Sequence, residues 1–306
     1  MAYTVAGVMK FLSIANSQSM KNVFIIALPR SGTSWLQGML GLLPEIATVR
    51  ETHLVDNYLR HLVQSWHKEQ KEPSPDGLKA ILSETEFYES LKVFSDRIFN
   101  KFLDFKPDAE IILEKTPDNL NFVTLLDCLY PQAYFIHVVR DPRAVVASHL
   151  ALKKEKWGWI GEGKNHLDLA LKWAKGMETA ARAKALVSDR LIEIRYEDLH
   201  RDRFSELIEV TDLLELDYTQ DRLRELVPEL SATDLDRQKT DWEIHNPFFD
   251  TRPNFFRRGE VDGWQQELTA EQIVDIESIC WRRMLERGYH PVQLKIERTL
   301  SNSCES

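Results

Sequence analysis

NVFIIALPRSGTSW, residues Asn22 to Trp35, decides the fold. Its first half, Asn22 to Leu28, is a short continuous apolar run rich in strand-forming residues, and Pro29 ends it. That pattern predicts a parallel strand buried on both faces. The second half, PRSGTSW, opens directly into a helical pattern. Strand, tight turn and helix N-terminus together make an anion site, because the free N–H groups of the first turn and the helix dipole point the same way. Gly32 lets the backbone approach a ligand closely. A nucleoside triphosphate loop would read GxxxxGK[ST]; here Ala27 stands at the first glycine and Thr33 replaces the lysine.

Outward from this stretch, three further runs read as strands: Glu110 to Leu113, Ala133 to Val139 and Arg190 to Ile194. Helical periodicity covers Ser34 to Leu43, Thr52 to Gln70, Glu84 to Leu103, Asp118 to Leu129, Pro142 to Leu152 and Leu167 to Val187. Strands alternating with helices predict an α/β fold, a central parallel sheet of about four to five strands flanked by helices in three layers. Its ligands belong beyond the carboxyl ends of the strands. Gln70 to Pro75 is a polar connector. Periodicity fades between Ser231 and Asp262, and Thr269 to Arg287 predicts a closing helix stopped by Gly288.

The chain has 306 residues, 43% of them hydrophobic, and no compositional break. One elaborated domain over residues 22–296 is expected, with a lead segment at 1–21 and a tail at 297–306. A net charge of -9 argues against nucleic acid or an anionic membrane surface as the main partner. Three cysteines without CxxC spacing suit reduced thiols in a cytoplasmic protein. Met1 to Met20 lacks the basic start of a signal peptide, and no run has transmembrane length.

A second anchor lies in VVRDPRAVVASHL, Val138 to Leu150. Asp141 suits an N-cap and Pro142 a first helical residue, which puts Arg140 at the strand's end and Ser148 about two turns into the helix. Both can reach one phosphate. The bland alternative is a capped helix with an Asp-Arg surface pair.

PRSGTSW resembles the 5′-phosphosulfate loop of sulfotransferases that use 3′-phosphoadenosine-5′-phosphosulfate (PAPS). By that resemblance Arg30 faces the sulfuryl and 5′-phosphate oxygens, Ser31, Gly32, Thr33 and Ser34 supply donors, and Trp35 lies against the adenine. The segment from Arg140 to Ser148 is similar to the family's 3′-phosphate motif. NFFRRGEVDGW, Asn254 to Trp264, resembles its closing segment, so that Arg257, Arg258 and Gly259 are expected over the 3′-phosphate. IRYEDL, Ile194 to Leu199, matches a segment whose tyrosine, here Tyr196, lies near the nucleotide; YEDL is also an ordinary helix start. The family implies a P-loop-like fold, PAPS as co-substrate and adenosine 3′,5′-bisphosphate (PAP) as product.

Sulfuryl transfer needs a base, an in-line approach and charge stabilisation on the departing oxygen. VRETHLVD, Val49 to Asp56, resembles the KExHFFD stretch of glycosaminoglycan sulfotransferases, which makes Glu51 the expected general base, with His53 supporting it or competing for the role. EKTPDN, Glu114 to Asn119, is similar to the EKSP of that branch and offers Lys115 for the leaving oxygen. Where the small-molecule branch carries its histidine, this chain has Pro117. His137, inside an apolar strand, reads as a core residue. No metal is expected, since cationic side chains can neutralise the phosphates.

The acceptor end is less legible. Lys153 to His166 holds Trp157 and Trp159 among glycines and reads equally as a lid over the acceptor or a pinned surface loop. A carbohydrate, another small alcohol or phenol, or a peptide all suit. Oligomeric state is unreadable. The alternatives are a P-loop kinase and a non-catalytic PAPS-binding protein.

Overall fold

The decisive run forms β1 (Lys21–Ala27), whose side chains divide alternately between two cores. Phe24 and Ile26 face one, while Val23, Ile25 and Ala27 face the other. Neither face meets water, which is why the sequence shows no polar alternation. The structure is a computed structural model and describes residues 20–69, 76–153, 165–227 and 260–292.

Four more strands join β1: β2 (Ile46–Thr48), β3 (Ile111–Lys115), β4 (Tyr134–Val139) and β5 (Leu191–Arg195). The order is β2-β3-β1-β4-β5, and every pairing is parallel. Between β1 and β3 lie α1 (Thr33–Leu40), α2 (Arg60–Lys68) and α3 (Glu84–Phe99). After β3 come α4 (Val123–Leu129), α5 (Pro142–Lys153) and α6 (His166–Val187). The chain continues through α7 (Tyr196–Arg201), α8 (Arg203–Leu213), α9 (Gln220–Leu226), α10 (Trp264–Glu267) and α11 (Ala270–Leu285). Helices α1 and α7 to α9 cover one face; α2 to α6, α10 and α11 cover the other. On that second face Phe24 meets Phe99, Tyr130 and Phe135 at centroid distances of 6.0, 5.8 and 5.7 Å. Each such pair adds about 0.5–1.5 kcal/mol to the burial of its rings.

The fold matches the α/β expectation, with a fifth strand at the edge. Strand β2 escaped the sequence reading because three residues carry no periodicity. The helix expected from Thr52 begins later, with a π-turn at Val55–Leu59 ahead of α2. Thr52 and His53 stay in a turn because the Thr52 hydroxyl donates to Glu114 and His53 takes a φ of 49°. The helices expected over Glu84 to Leu103 and Asp118 to Leu129 are each part 3-10: one tightens after Phe99, the other before Val123. The closing helix starts at a Thr269 capping box, and Gly288, at φ 72°, ends its turn.

Candidate active site

Each of the five strands delivers a residue to one end of the sheet. The phosphate loop leaves β1, Glu51 and His53 follow β2, Lys115 ends β3, Arg140 follows β4 and Tyr196 follows β5. These are the carboxyl ends, where the loops of a parallel sheet leave room for a ligand.

In the phosphate loop, Arg30 has φ 75° and Gly32 φ 94°. A Cβ on Gly32 would lie 2.3 Å from Tyr196 Cδ2, so glycine is required by both backbone and space. Tyr196 is buried over that glycine, and the Arg140 guanidinium lies 4.1 Å from its ring centre. Arg140 donates to the Arg30 carbonyl at 3.3 Å and to the Glu260 carbonyl at 3.0 Å, while its buried Nε has no hydrogen-bond partner among the described residues. Arg30 Nε donates to Ser148 Oγ at 3.0 Å. The two phosphate anchors read separately in the sequence are therefore one contiguous group, and Tyr196 is the surface on which they meet.

Trp35, next to the loop, is buried with its ring edge-on to Tyr196 at 5.7 Å. The rings of Trp35 and His200 are 5.9 Å apart, and the Arg203 guanidinium lies 5.6 Å from the indole centre.

Beside the loop runs a row of charge. Lys115 Nζ donates to Glu51 Oε1 at 2.6 Å and to Ser34 Oγ at 3.0 Å. Glu51 Oε2 lies 3.2 Å from His53 Nε2, and His53 Nδ1 lies 3.0 Å from Asp56 Oδ2. With both ring nitrogens on carboxylates, His53 suits the imidazolium, which donates twice. The hydrogen bond to Glu51 is the largest cause raising its pKa, and with Asp56 it outweighs burial to bring it from 6.5 to about 9. Burial acts to raise the Glu51 pKa, but the charge of Lys115 and the bonds from His53 and Lys115 together lower it from 4.5 to about 2. At neutral pH Glu51 is therefore ionised and His53 carries a proton. Glu51 keeps 31% of its side chain exposed, against 4% for Lys115.

A second network fixes the β4–α5 turn. Asp141 caps α5 by accepting from the Arg143 amide at 2.8 Å and also pairs with the Arg143 guanidinium at 2.6 Å. Arg143 reaches Glu277 of α11 at 2.6 Å and sits 4.1 Å from the Trp264 ring centre. Asp141 and Arg143 are both buried, so this is not the surface pair of the bland reading. Glu197 accepts from the Asp141 amide at 3.0 Å and from the Tyr289 hydroxyl at 2.7 Å; burial pushes its pKa up. Trp173 Nε1 donates to the Arg140 carbonyl at 3.0 Å.

Of the expected site residues, the structure gathers Arg30 to Trp35, Glu51, His53, Lys115, Arg140, Ser148 and Tyr196 at one end of the sheet. Trp157, Trp159, Arg257, Arg258 and Gly259 lie outside the described residues. His137 is wholly buried with Nδ1 2.8 Å from Glu193 Oε2, a core residue as expected. The sequence reading missed Glu114, Glu197, Glu277 and Tyr289. Only Glu114 left a signal, as an acidic residue at the end of an apolar strand. Cys128 and Cys280 are free thiols, and among the described residues no helix is long and apolar enough to cross a membrane.

This architecture, a parallel α/β sheet with a phosphate loop after its central strand, defines a nucleotide-binding class of protein. The chain belongs to the Sulfotransferase family, whose model matches residues 22–220, more than half of its length. Protein-tyrosine sulfotransferase 1 of Danio rerio is 27% identical over 183 residues, 60% of this chain and 50% of that protein. The Homo sapiens protein of the same name is 29% identical over 167 residues, 55% of this chain and 43% of the relative. The chain thus matches half or less of each of these relatives. Among solved structures, the sulfotransferase domain from the curacin biosynthetic pathway shares the fold with a TM-score of 0.57 at 18% identity, covering 90% of this chain and 99% of the other. Mouse sulfotransferase SULT7A1 complexed with PAP gives 0.52 at 16% identity, covering 89% and 91%.

Proposed function

We propose that this chain transfers the sulfuryl group of PAPS to an acceptor hydroxyl, with Glu51 as general base. The observation that carries the reading is Lys115, one ammonium touching both Glu51 and Ser34 of the phosphate loop. Base and phosphate loop are thereby within one side chain of each other, as direct transfer requires.

The residues suit a nucleotide whose two phosphate groups would meet neighbouring parts of this one contiguous group. The loop around Gly32 offers amides at a helix start, and Arg140, with its buried Nε unpartnered among the described residues, offers a second cationic point beside Arg30 and Tyr196. PAPS supplies the activated sulfuryl group. The acceptor oxygen bonds to sulfur as the sulfur–oxygen bond to the 5′-phosphate breaks, the acceptor proton passes to Glu51, and PAP leaves. Arg30 and Lys115 stabilise charge on the departing oxygen.

Held by Lys115, Glu51 is a weak base. When Lys115 turns to phosphosulfate oxygens, Glu51 loses a strong lowering influence while its burial remains, so its basicity rises. His53, protonated at neutral pH, orients Glu51 rather than competing with it. A carboxylate base is better matched to a phenol, with a pKa of about 10, than to a less acidic sugar alcohol. The names of the sequence relatives favour the same acceptor, a tyrosine hydroxyl.

Titration calorimetry with PAP in the absence of magnesium tests the nucleotide site. Metal-independent binding that AMP does not reproduce supports it; preference for magnesium-ATP moves the reading to the kinase. Turnover of PAPS with a tyrosine-bearing peptide then separates an enzyme from a non-catalytic binding protein.

A further inference from the structure

Glu114 is a carboxylate buried to 1% exposure in the sheet, one residue before Lys115 on β3. Adjacent strand residues face opposite ways, so Lys115 points to the phosphate loop while Glu114 points to the other face. Four neutral donors converge on it. Its Oε1 accepts from the Thr52 amide at 3.4 Å, the Thr52 hydroxyl at 2.9 Å and the Thr116 hydroxyl at 2.6 Å; its Oε2 accepts from Asn119 at 2.6 Å. Thr116 Oγ1 in turn accepts from the His53 amide at 3.4 Å, and Thr52 Oγ1 from the Leu54 amide at 3.3 Å.

A leucine would fill this position at far lower cost than a buried carboxylate. What the carboxylate holds is one peptide segment: Thr52 lies between Glu51 and His53, and the same cluster grips the amides of Thr52, His53 and Leu54. His53 has φ 49°, a conformation that persists only where its surroundings enforce it. From this geometry we infer that Glu114 is a positioning residue, which clamps the Glu51–His53 turn to the end of β3 and so sets Glu51 against Lys115 and His53. The inference rests on the reading of Glu51 as the base for its consequence in turnover, but the clamp itself can be tested without any acceptor.

The probe is the His53 imidazole, followed by NMR titration in the full-length protein, because the Glu51 contact is the main cause that lifts its pKa to about 9. Glu114→Gln puts an amide donor among the four donors. Thr52→Val, at a half-buried position, removes one of them and spares the carboxylate if the first variant fails to fold; Thr52→Ser keeps the hydroxyl. The expected result is a fall of the His53 pKa toward 6.5 in Glu114→Gln and Thr52→Val, retention near about 9 in Thr52→Ser, and PAP affinity within about twofold of wild type throughout. An unchanged His53 pKa in folded Thr52→Val overturns the clamp. Glu51→Gln turning over at the wild-type rate removes Glu51 from the base role and leaves the titration result standing.

Discussion

Lys115 and Glu51 form a 2.6 Å ion pair across the ends of β3 and β2, with the lysine 4% and the glutamate 31% exposed. The cation is enclosed, and the carboxylate is the more accessible partner. Replacing Lys115 by methionine keeps the bulk and removes the charge. Loss of one preorganised donor to a departing oxygen costs on the order of 10²–10³ in kcat.

The same variant has a distinctive pH signature. Glu51 is held at about 2 largely because the charge of Lys115 opposes its burial. Without that charge burial raises the pKa, so the acid limb of kcat/KM moves upward from its wild-type position. A rate loss with an unmoved limb would mean that Lys115 acts on the nucleotide alone.

Gly32→Ala tests the loop. The added methyl would meet Tyr196 at 2.3 Å at a residue with φ 94°, so the loop must shift or Tyr196 must leave Arg140. Strained backbone of this kind costs about 1–3 kcal/mol. A lower unfolding midpoint together with a loss of PAP affinity of tenfold or more is expected, by denaturation and calorimetry on the same preparation.

His53 should leave a mark on stability. Its pKa is about 9 when folded and 6.5 when unfolded, so its contribution is fully present below pH 6.5 and is lost as pH rises through 9. Its side chain is 41% exposed, so solvent screening keeps the effect small. Between pH 6.5 and 9 the wild-type Tm should fall more steeply than that of His53→Ala. Parallel curves would show that the imidazole is not held between Glu51 and Asp56.

Much of the site was legible because a parallel sheet ties function to strand ends. Once β1 was read from Asn22 to Leu28 and β4 from Ala133 to Val139, Arg30 and Arg140 both followed as residues at the carboxyl ends of strands. The contacts that unite them were not legible. Nothing in IRYEDL says that Tyr196 seals Gly32 and lies against Arg140, because sequence patterns report faces and periods, not which distant side chains meet. Glu197 and Glu277 left no signal for the same reason, and Glu114 left only its place at the end of an apolar strand. Their burial is set by partners far along the chain: Thr52 lies before Glu114, Tyr289 follows Glu197 by more than ninety residues, and Arg143 precedes Glu277 by 134.

The last of these partnerships gives the sharpest stability prediction. Arg143 lies between Asp141 and Glu277, all three buried, and it ties the β4–α5 turn to α11. Arg143→Met leaves two carboxylates without their cation in a region closed to water. Removing one partner of a buried ion pair costs about 3–5 kcal/mol. A loss of that size in urea denaturation is expected, with PAP affinity reduced as well, because Asp141 both caps α5 and directly follows Arg140. Loss of stability with full PAP affinity would show that the triad braces α11 alone and that Trp173 and Glu197 suffice to hold the turn.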